Sequence, residues 1–246
     1  WAVTSTIPAD YFDTPGLTYP ITVDPVSTTY ARQLTAPNGG QFGINVAPAG
    51  DLNGDGYSDV AVGAWTTGNG GEVYVYYGSA AGIGTTPSVT LTSGRPVSNF
   101  GLGLDGAGDV NNDGFSDLVV GASAWNDNAG TPNEGALFIY HGSAAGINTI
   151  ANTTLQTNTT NTYLGSSAAG VGDINGDGFS DVVGGGWLAA LPNSGEGAAW
   201  VFMGSATGLN PVARHRLERN QGGAQFGFSV APAGDLNADG FSDVII

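Results

Sequence analysis

The chain reads as an all-β protein built from one repeated unit, and three observations carry that reading. Of its 246 residues 42 are glycine and only 11% are charged, a composition of many short strands joined by tight turns. Strongly helix-favouring charged residues are scarce, with no Lys and four Glu, whereas Val, Thr, Tyr, Phe and Trp recur in short alternating runs. One block of sequence occurs four times, and internal repetition outranks any local propensity.

The block opens each unit: residues 42–64 (FGINVAPAGDLNGDGYSDVAVGA), 100–122 (FGLGLDGAGDVNNDGFSDLVVGA), 164–186 (LGSSAAGVGDINGDGFSDVVGGG) and 226–246 (FGFSVAPAGDLNADGFSDVII). Its first loop aspartates, Asp51, Asp109, Asp173 and Asp235, are spaced by 58, 64 and 62 residues, room for about four short strands. Two of those strands flank the aspartate loop. The third is an alternating aromatic run ending in a Gly-Ser turn, at GEVYVYYGSAAGI, EGALFIYHGSAAGI and EGAAWVFMGSATGL. A weaker strand closes the unit, at residues 88–93, 153–157 and 212–218. Four short strands per unit, with no helix-length segment between them, suit a propeller blade or a solenoid coil.

At the beginning, residues 30–43 resemble residues 214–227 and are expected to supply the last strand of a preceding unit. At the other end the chain stops after the second strand of its fourth unit. The expected division is a tail of another domain or a linker over residues 1–27, then an incomplete set of units over 28–246, with three whole and two partial. Strand counting leaves the third strand of a self-closing unit missing, so closure within the chain is not expected and the open edges are expected to be covered by further units or by neighbouring copies.

The formal charge is −16, and 17 of the 21 acidic residues are Asp. Five Arg cannot make a phosphate-neutralising stripe, so no nucleic-acid partner is expected. The absence of Cys excludes disulfides and thiolate metal sites. No apolar stretch reaches membrane-spanning length and no signal-peptide pattern opens the chain, so soluble, already processed material without membrane insertion is expected.

The acidity is concentrated in loops of the form Asp-x-Asn-x-Asp-Gly-aromatic-Ser-Asp, which hold 12 of the 21 acids. Side chains at positions 1, 3, 5 and 9, with the carbonyl of position 7, form an oxygen-only set suited to a hard cation, Ca²⁺. The candidate ligands are Asp51, Asn53, Asp55, Tyr57 and Asp59; Asp109, Asn111, Asp113, Phe115 and Asp117; Asp173, Asn175, Asp177, Phe179 and Asp181; and Asp235, Asn237, Asp239, Phe241 and Asp243. Glycine at position 6 permits a sharp reversal at positive φ. Metal-free Asx turns use the same residue types, but a turn does not need the same four oxygen donors four times over. An EF-hand wants a carboxylate at position 12, which here holds Val62, Val120, Gly184 and Ile246. Four calcium ions are therefore expected.

The Phe-Gly opening, the nine-residue aspartate loop, the following Val-Gly-Ala and the Gly-Glu-x-x-Val-Tyr-type strand together resemble the FG-GAP repeats of the integrin-alpha-like β-propeller, over about residues 30–246. The resemblance implies four-stranded blades, about three and a half of them here from a larger ring, usually of seven. It also places calcium in the hairpin between first and second strands on one face. The chain departs from the family where the Pro of Gly-Ala-Pro is replaced by Trp65, by Ser123 shortly before Trp125, and by Trp187.

Those three tryptophans, just past the second strands, are candidate stacking platforms for a sugar or peptide, with wedging between blades as the plainer alternative. Glu72, Glu134 and Glu196 precede the third strands and are expected to satisfy backbone groups. Neither His141 nor His215 lies near a nucleophile motif, so no enzyme is expected. Arg214, His215, Arg216 and Arg219 form a basic cluster on a solvated edge strand. The functional expectation is a calcium-stabilised, non-catalytic module for adhesion, recognition or structure, secreted or at the cell surface, with a protein or glycan ligand. The alternative is a carbohydrate-binding propeller or an accessory domain of a secreted enzyme.

Overall fold

The computed structural model describes residues 33–35, 37–68, 70–126 and 132–246. Residues 34–246 form one unit, and the expected tail over 1–27, with most of the strand expected near 30–35, lies outside the described residues. Fourteen strands and no helix are present among the described residues. They are β1 (Asn45–Gly50), β2 (Asp59–Ala64), β3 (Glu72–Tyr76), β4 (Val89–Thr92), β5 (Phe100–Gly108), β6 (Asp117–Ala122), β7 (Ala136–Tyr140), β8 (Thr153–Leu155), β9 (Ser167–Gly172), β10 (Asp181–Gly186), β11 (Ala198–Phe202), β12 (His215–Glu218), β13 (Ala231–Gly234) and β14 (Asp243–Ile245). They pair antiparallel in sequence order into three four-stranded sheets, β1–β4, β5–β8 and β9–β12, and a two-stranded sheet, β13–β14. These are the meandering four-stranded blades of a β-propeller.

The outer strands are shorter than the sequence suggests. The closing strand expected over 212–218 is the four residues of β12, three of them exposed, because an edge strand with charges on its surface has little apolar burial to extend it. In the last unit Phe226 makes only an isolated bridge to Gly197, and pairing proper starts at Ala231.

Both faces of the inner strands are buried, and alternate residues go to different cores. In β7, Ala136, Phe138 and Tyr140 join the core shared with the first sheet, while Leu137 and Ile139 join the core shared with the third. In β11, Ala198, Trp200 and Phe202 face back to the second sheet, and Ala199 and Val201 face forward to the fourth. The apolar core is thus a series of layers between consecutive sheets, as the period of two requires.

The recurring glycines mark where consecutive blades touch backbone to backbone. A Cβ on Gly63, Gly121 or Gly185 would lie 2.4, 2.2 or 2.0 Å from the carbonyl oxygen of Gly101, Gly165 or Gly227, the second residue of the next unit's opening pair. That second glycine adopts positive φ each time, at 89°, 89° and 78°. The Phe-Gly of one unit and the Val-Gly-Ala of the one before it are therefore two halves of a single contact. Phe100, Leu164 and Phe226 complete it by donating their amides to the carbonyls of Gly70, Glu134 and Glu196.

Asp105 breaks the repeat, since Ala47, Ala169 and Ala231 hold its position in the other units. Its carboxylate accepts from the amides of Gly106 (3.0 Å) and Gly170 (3.3 Å), the latter in the next blade. Burial pushes this acid up to about 6, against the pull of those two amides. A raised folded-state value means that the folded chain holds the proton more tightly, so this group's contribution to stability is lost as pH rises from about 4 through about 6. Asp105→Asn should therefore gain stability relative to the parent above pH 6 and show no such gain below pH 4. Paired thermal melts across pH 4 to 8 in chelator test this, and a pH-independent difference would refute it.

Candidate metal centres

The β1–β2, β5–β6, β9–β10 and β13–β14 hairpins carry the four aspartate loops. Antiparallel order puts all four at the blade end that also holds the Gly-Ser turns after β3, β7 and β11. Trp65, Trp125 and Trp187 follow β2, β6 and β10, at the opposite end.

Each loop is organised by its first aspartate. Asp51 accepts from the amides of Gly54 (2.7 Å), Asp55 (3.1 Å) and Gly56 (2.8 Å). Asp173 accepts from Asn175, Gly176, Asp177 and Gly178, and Asp109 and Asp235 each from their residues at positions 5 and 6. The Asn at position 3 donates its Nδ2 to the position 5 carboxylate at 2.8–3.0 Å in all four copies. That carboxylate accepts in turn from the amide at position 7. The winding needs positive φ at position 4 as well as 6: Gly54, Asn112, Gly176 and Ala238 stand at 71°, 56°, 78° and 59°. The sequence signal for this was present, because three of these four are residues that tolerate the left-handed region, but position 4 varies and does not stand out.

The ninth residue plays a part that sequence reasoning missed. Asp59, Asp117 and Asp181 are wholly buried. One carboxylate oxygen accepts from the position 2 amide, of Leu52, Val110 or Ile174, at 2.8–3.0 Å. The other accepts from Gly78, Gly142 or Gly204, the glycine of the Gly-Ser turn, at 2.7–2.9 Å. Position 9 thus stitches the loop to the end of the third strand. Burial pushes these acids up, Asp117 to about 7, against the two amides that pull down and with the loop's other carboxylates adding to the rise.

The loops bring positions 1, 3 and 5 together through hydrogen bonds, while position 9 turns to the amides beneath. Among the described residues no three Asp, Glu or His side chains converge as a metal-holding group. The donor chemistry nonetheless fits a hard cation: three carboxylates per loop, amide and carbonyl oxygens beside them, and no Arg in any loop to balance the charge.

The serine at position 8 of the second, third and fourth loops bonds through its backbone to the loop of the preceding unit. Ser116, Ser180 and Ser242 donate their amides to the carbonyls of Asp51, Asp109 and Asp173, each at 3.0 Å.

Two of the three candidate tryptophans pack against other aromatic side chains. Trp125 lies edge-on to Phe138 at 5.8 Å with Arg95 over its ring at 5.9 Å, and Trp187 lies edge-on to Phe228 of the next unit at 5.5 Å. All three tryptophans are half-buried. His141 is half-buried where a Cβ on Gly208 of the next unit would meet its ring at 2.7 Å, and burial lowers its pKa. Glu134 accepts from the amide of Asn158, and Glu196 from that of Asn193. Glu72 differs: it starts β3, two places further on than the other two, and accepts from the side chains of Asn38 and Tyr74. Of the basic cluster, Arg216 pairs with Glu218 at 3.0 Å on the exposed face of β12.

Residues 51–120, from one aspartate loop into the strand after the next, match the FG-GAP-like repeat family. Over 86 residues the chain is 45% identical to integrin alpha-IIb of Mus musculus, covering 34% of this chain and 8% of that protein. Over 146 residues it is 37% identical to integrin alpha-6 of Homo sapiens (57% and 12%), and over 96 residues 40% identical to integrin alpha-PS5 of Drosophila melanogaster (37% and 10%). The chain thus spans between 8% and 12% of the length of these relatives. With the blades, the loops and the paired Phe-Gly and Val-Gly-Ala contacts in place, the chain carries an FG-GAP-like repeat over residues 51–120 and is similar over part of its length to integrin alpha chains.

Proposed function

We propose that the chain is a calcium-stabilised, non-catalytic recognition or adhesion module that works outside the cell and presents a propeller surface to a protein ligand. The observation that carries this reading is the row of four equivalent oxygen-donor loops on one face, three of them seated on a buried aspartate with no cationic side chain bonded to it. Positions 1, 3, 5 and 9 and the position 7 carbonyl of each loop would hold one ion, with a change of side-chain rotamer at position 9. Four ions would offset half of the formal charge of −16. The likeness to integrin alpha chains supports adhesion as the setting. The half-burial and edge-on packing of Trp125 and Trp187 favour a protein ligand over a sugar, which needs an open indole face. Phe228, Leu236, Phe241 and Ile245 are exposed on the two-stranded unit, a surface that neighbouring blades or subunits would cover.

Calcium modules outside cells have dissociation constants of about 10⁻⁴ to 10⁻³ M. At about 1 mM calcium each occupied site then adds roughly 0.4–1.4 kcal/mol by mass action. The melting temperature should rise in calcium and fall in EDTA. Asp55→Ala should remove part of that rise and Ser58→Ala should not, because Asp55 is a proposed ligand and Ser58 is exposed with a hydroxyl outside the ligand set. A melt unaffected by EDTA would sink the calcium reading.

A further inference from the structure

We propose that the aromatic residue at position 7 and the serine at position 8 of the second, third and fourth loops are positioning residues for the loop of the unit before, so that the calcium sites act as a coupled series. The ligand named here rests on the calcium reading above; the linkage itself is a feature of the protein.

Three contacts recur. The position 8 amide donates to the position 1 carbonyl of the preceding loop, and in the first pair Ser116 Oγ also accepts from the Asp51 amide at 3.1 Å. The glycine just before that aspartate holds positive φ, and a Cβ on Gly50, Gly108 or Gly172 would lie 2.2, 2.4 or 2.7 Å from Oγ of Ser116, Ser180 or Ser242. The aromatic ring covers the middle of the preceding loop: a Cβ on Gly54 would lie 2.5 Å from Phe115 Cε1, and one on Gly176 2.5 Å from Phe241 Cε1. The Gly-Ser turn adds a fourth tie, with the amides of Ser143 and Ser205 donating to the carbonyls of Leu52 and Val110 at position 2.

The first proposed ligand of each of the first three loops thus has its backbone gripped by the following unit while its carboxylate orders its own loop. An ion in loop 109–117 fixes Phe115 through its carbonyl and Ser116 through Asp117. That ordering removes freedom which loop 51–59 would otherwise lose on binding its own ion, and linkage makes the effect reciprocal.

The test is a calcium titration of the ¹⁵N-labelled chain, followed at the amides of Gly56, Gly114 and Gly178, in the parent and in Ser116→Ala. The midpoint at Gly56 should rise about three- to tenfold, the worth of the one hydrogen bond that Ser116 Oγ accepts, and by reciprocity that at Gly114 should rise with it but by less, because loop 109–117 keeps its own bonds. A shift at Gly114 alone, or none at either, would overturn the proposal. If no amide of the parent responds up to about 10 mM calcium, the calcium reading falls, and hydrogen exchange in EDTA then decides the linkage. Ser116→Ala should speed exchange about three- to tenfold at Gly54 and Gly56 and not at Gly114; equal exchange overturns it.

Discussion

Gly121→Ala should be among the most damaging single-methyl additions in the chain, costing roughly 3 kcal/mol or more and lowering the melting temperature by about 6–12 °C, or preventing folding outright. The added Cβ would lie 2.2 Å from the carbonyl oxygen of Gly165 and 2.8 Å from its Cα and carbonyl carbon. All three are backbone atoms, and Gly165 is itself pinned by its amide to Gly185 O at 3.0 Å, so relief requires the two blades to part. The informative control is Gly114→Ala. That glycine has positive φ (92°), but an added methyl group there would have nothing within 4 Å, so its cost is the left-handed penalty alone, roughly 1–2 kcal/mol. Chemical or thermal denaturation of both variants separates the effects. Comparable losses would show that Gly121 is retained for backbone freedom and not for the close approach of the next blade.

Asp117→Ala should cost roughly 2–4 kcal/mol. The side chain is fully buried and accepts from Val110 N at 2.9 Å and Gly142 N at 2.9 Å. Truncation leaves two buried donors without partners, at about 1–3 kcal/mol each, and the desolvation that opposes ionisation of this acid gives part of that back. Asp113→Ala, at an exposed position in the same loop, should lose calcium response with a far smaller loss in EDTA. Melts of both variants with and without calcium distinguish a ligand that is also a structural tie from one that is only a ligand. Equal destabilisation of the two in EDTA would remove position 9 from its structural role.

Much of this is legible in the sequence because the signals repeat. Period-two alternation in YVYY, LFIY and AWVF places the third strands, and their double-sided burial needs no more than apolar residues in adjacent positions. The aspartate loops announce themselves by spacing. What cannot be read is which unit each residue serves. Ser116 sits in loop 109–117 by sequence and bonds to Asp51 by structure, and only the stacking of blades brings them within 3.0 Å. The same holds for the glycines: Gly63 looks like a strand defect until Gly101 is placed against it. Similarity of motif aligns Glu72 with Glu134 and Glu196 wrongly: counted back from the Gly-Ser turn, Glu72 stands 6 residues before Gly78 and the other two 8 before Gly142 and Gly204, an offset that the pairing of Val62 with Tyr74 bears out.

The grip between blades on the loop face has a direction. In the five backbone bonds made by Ser116, Ser143, Ser180, Ser205 and Ser242, the donor belongs to the later unit and the acceptor to the earlier one. A ribosome releases the chain in that same order. In a chain made from its N-terminus, the acceptor carbonyls of each blade are thus synthesised before the donors that bond to them. The same polarity makes units interchangeable over evolution: a duplicated blade arrives carrying its own donors and offering the acceptors its successor requires, so gene duplication can lengthen the series without new contacts having to be found.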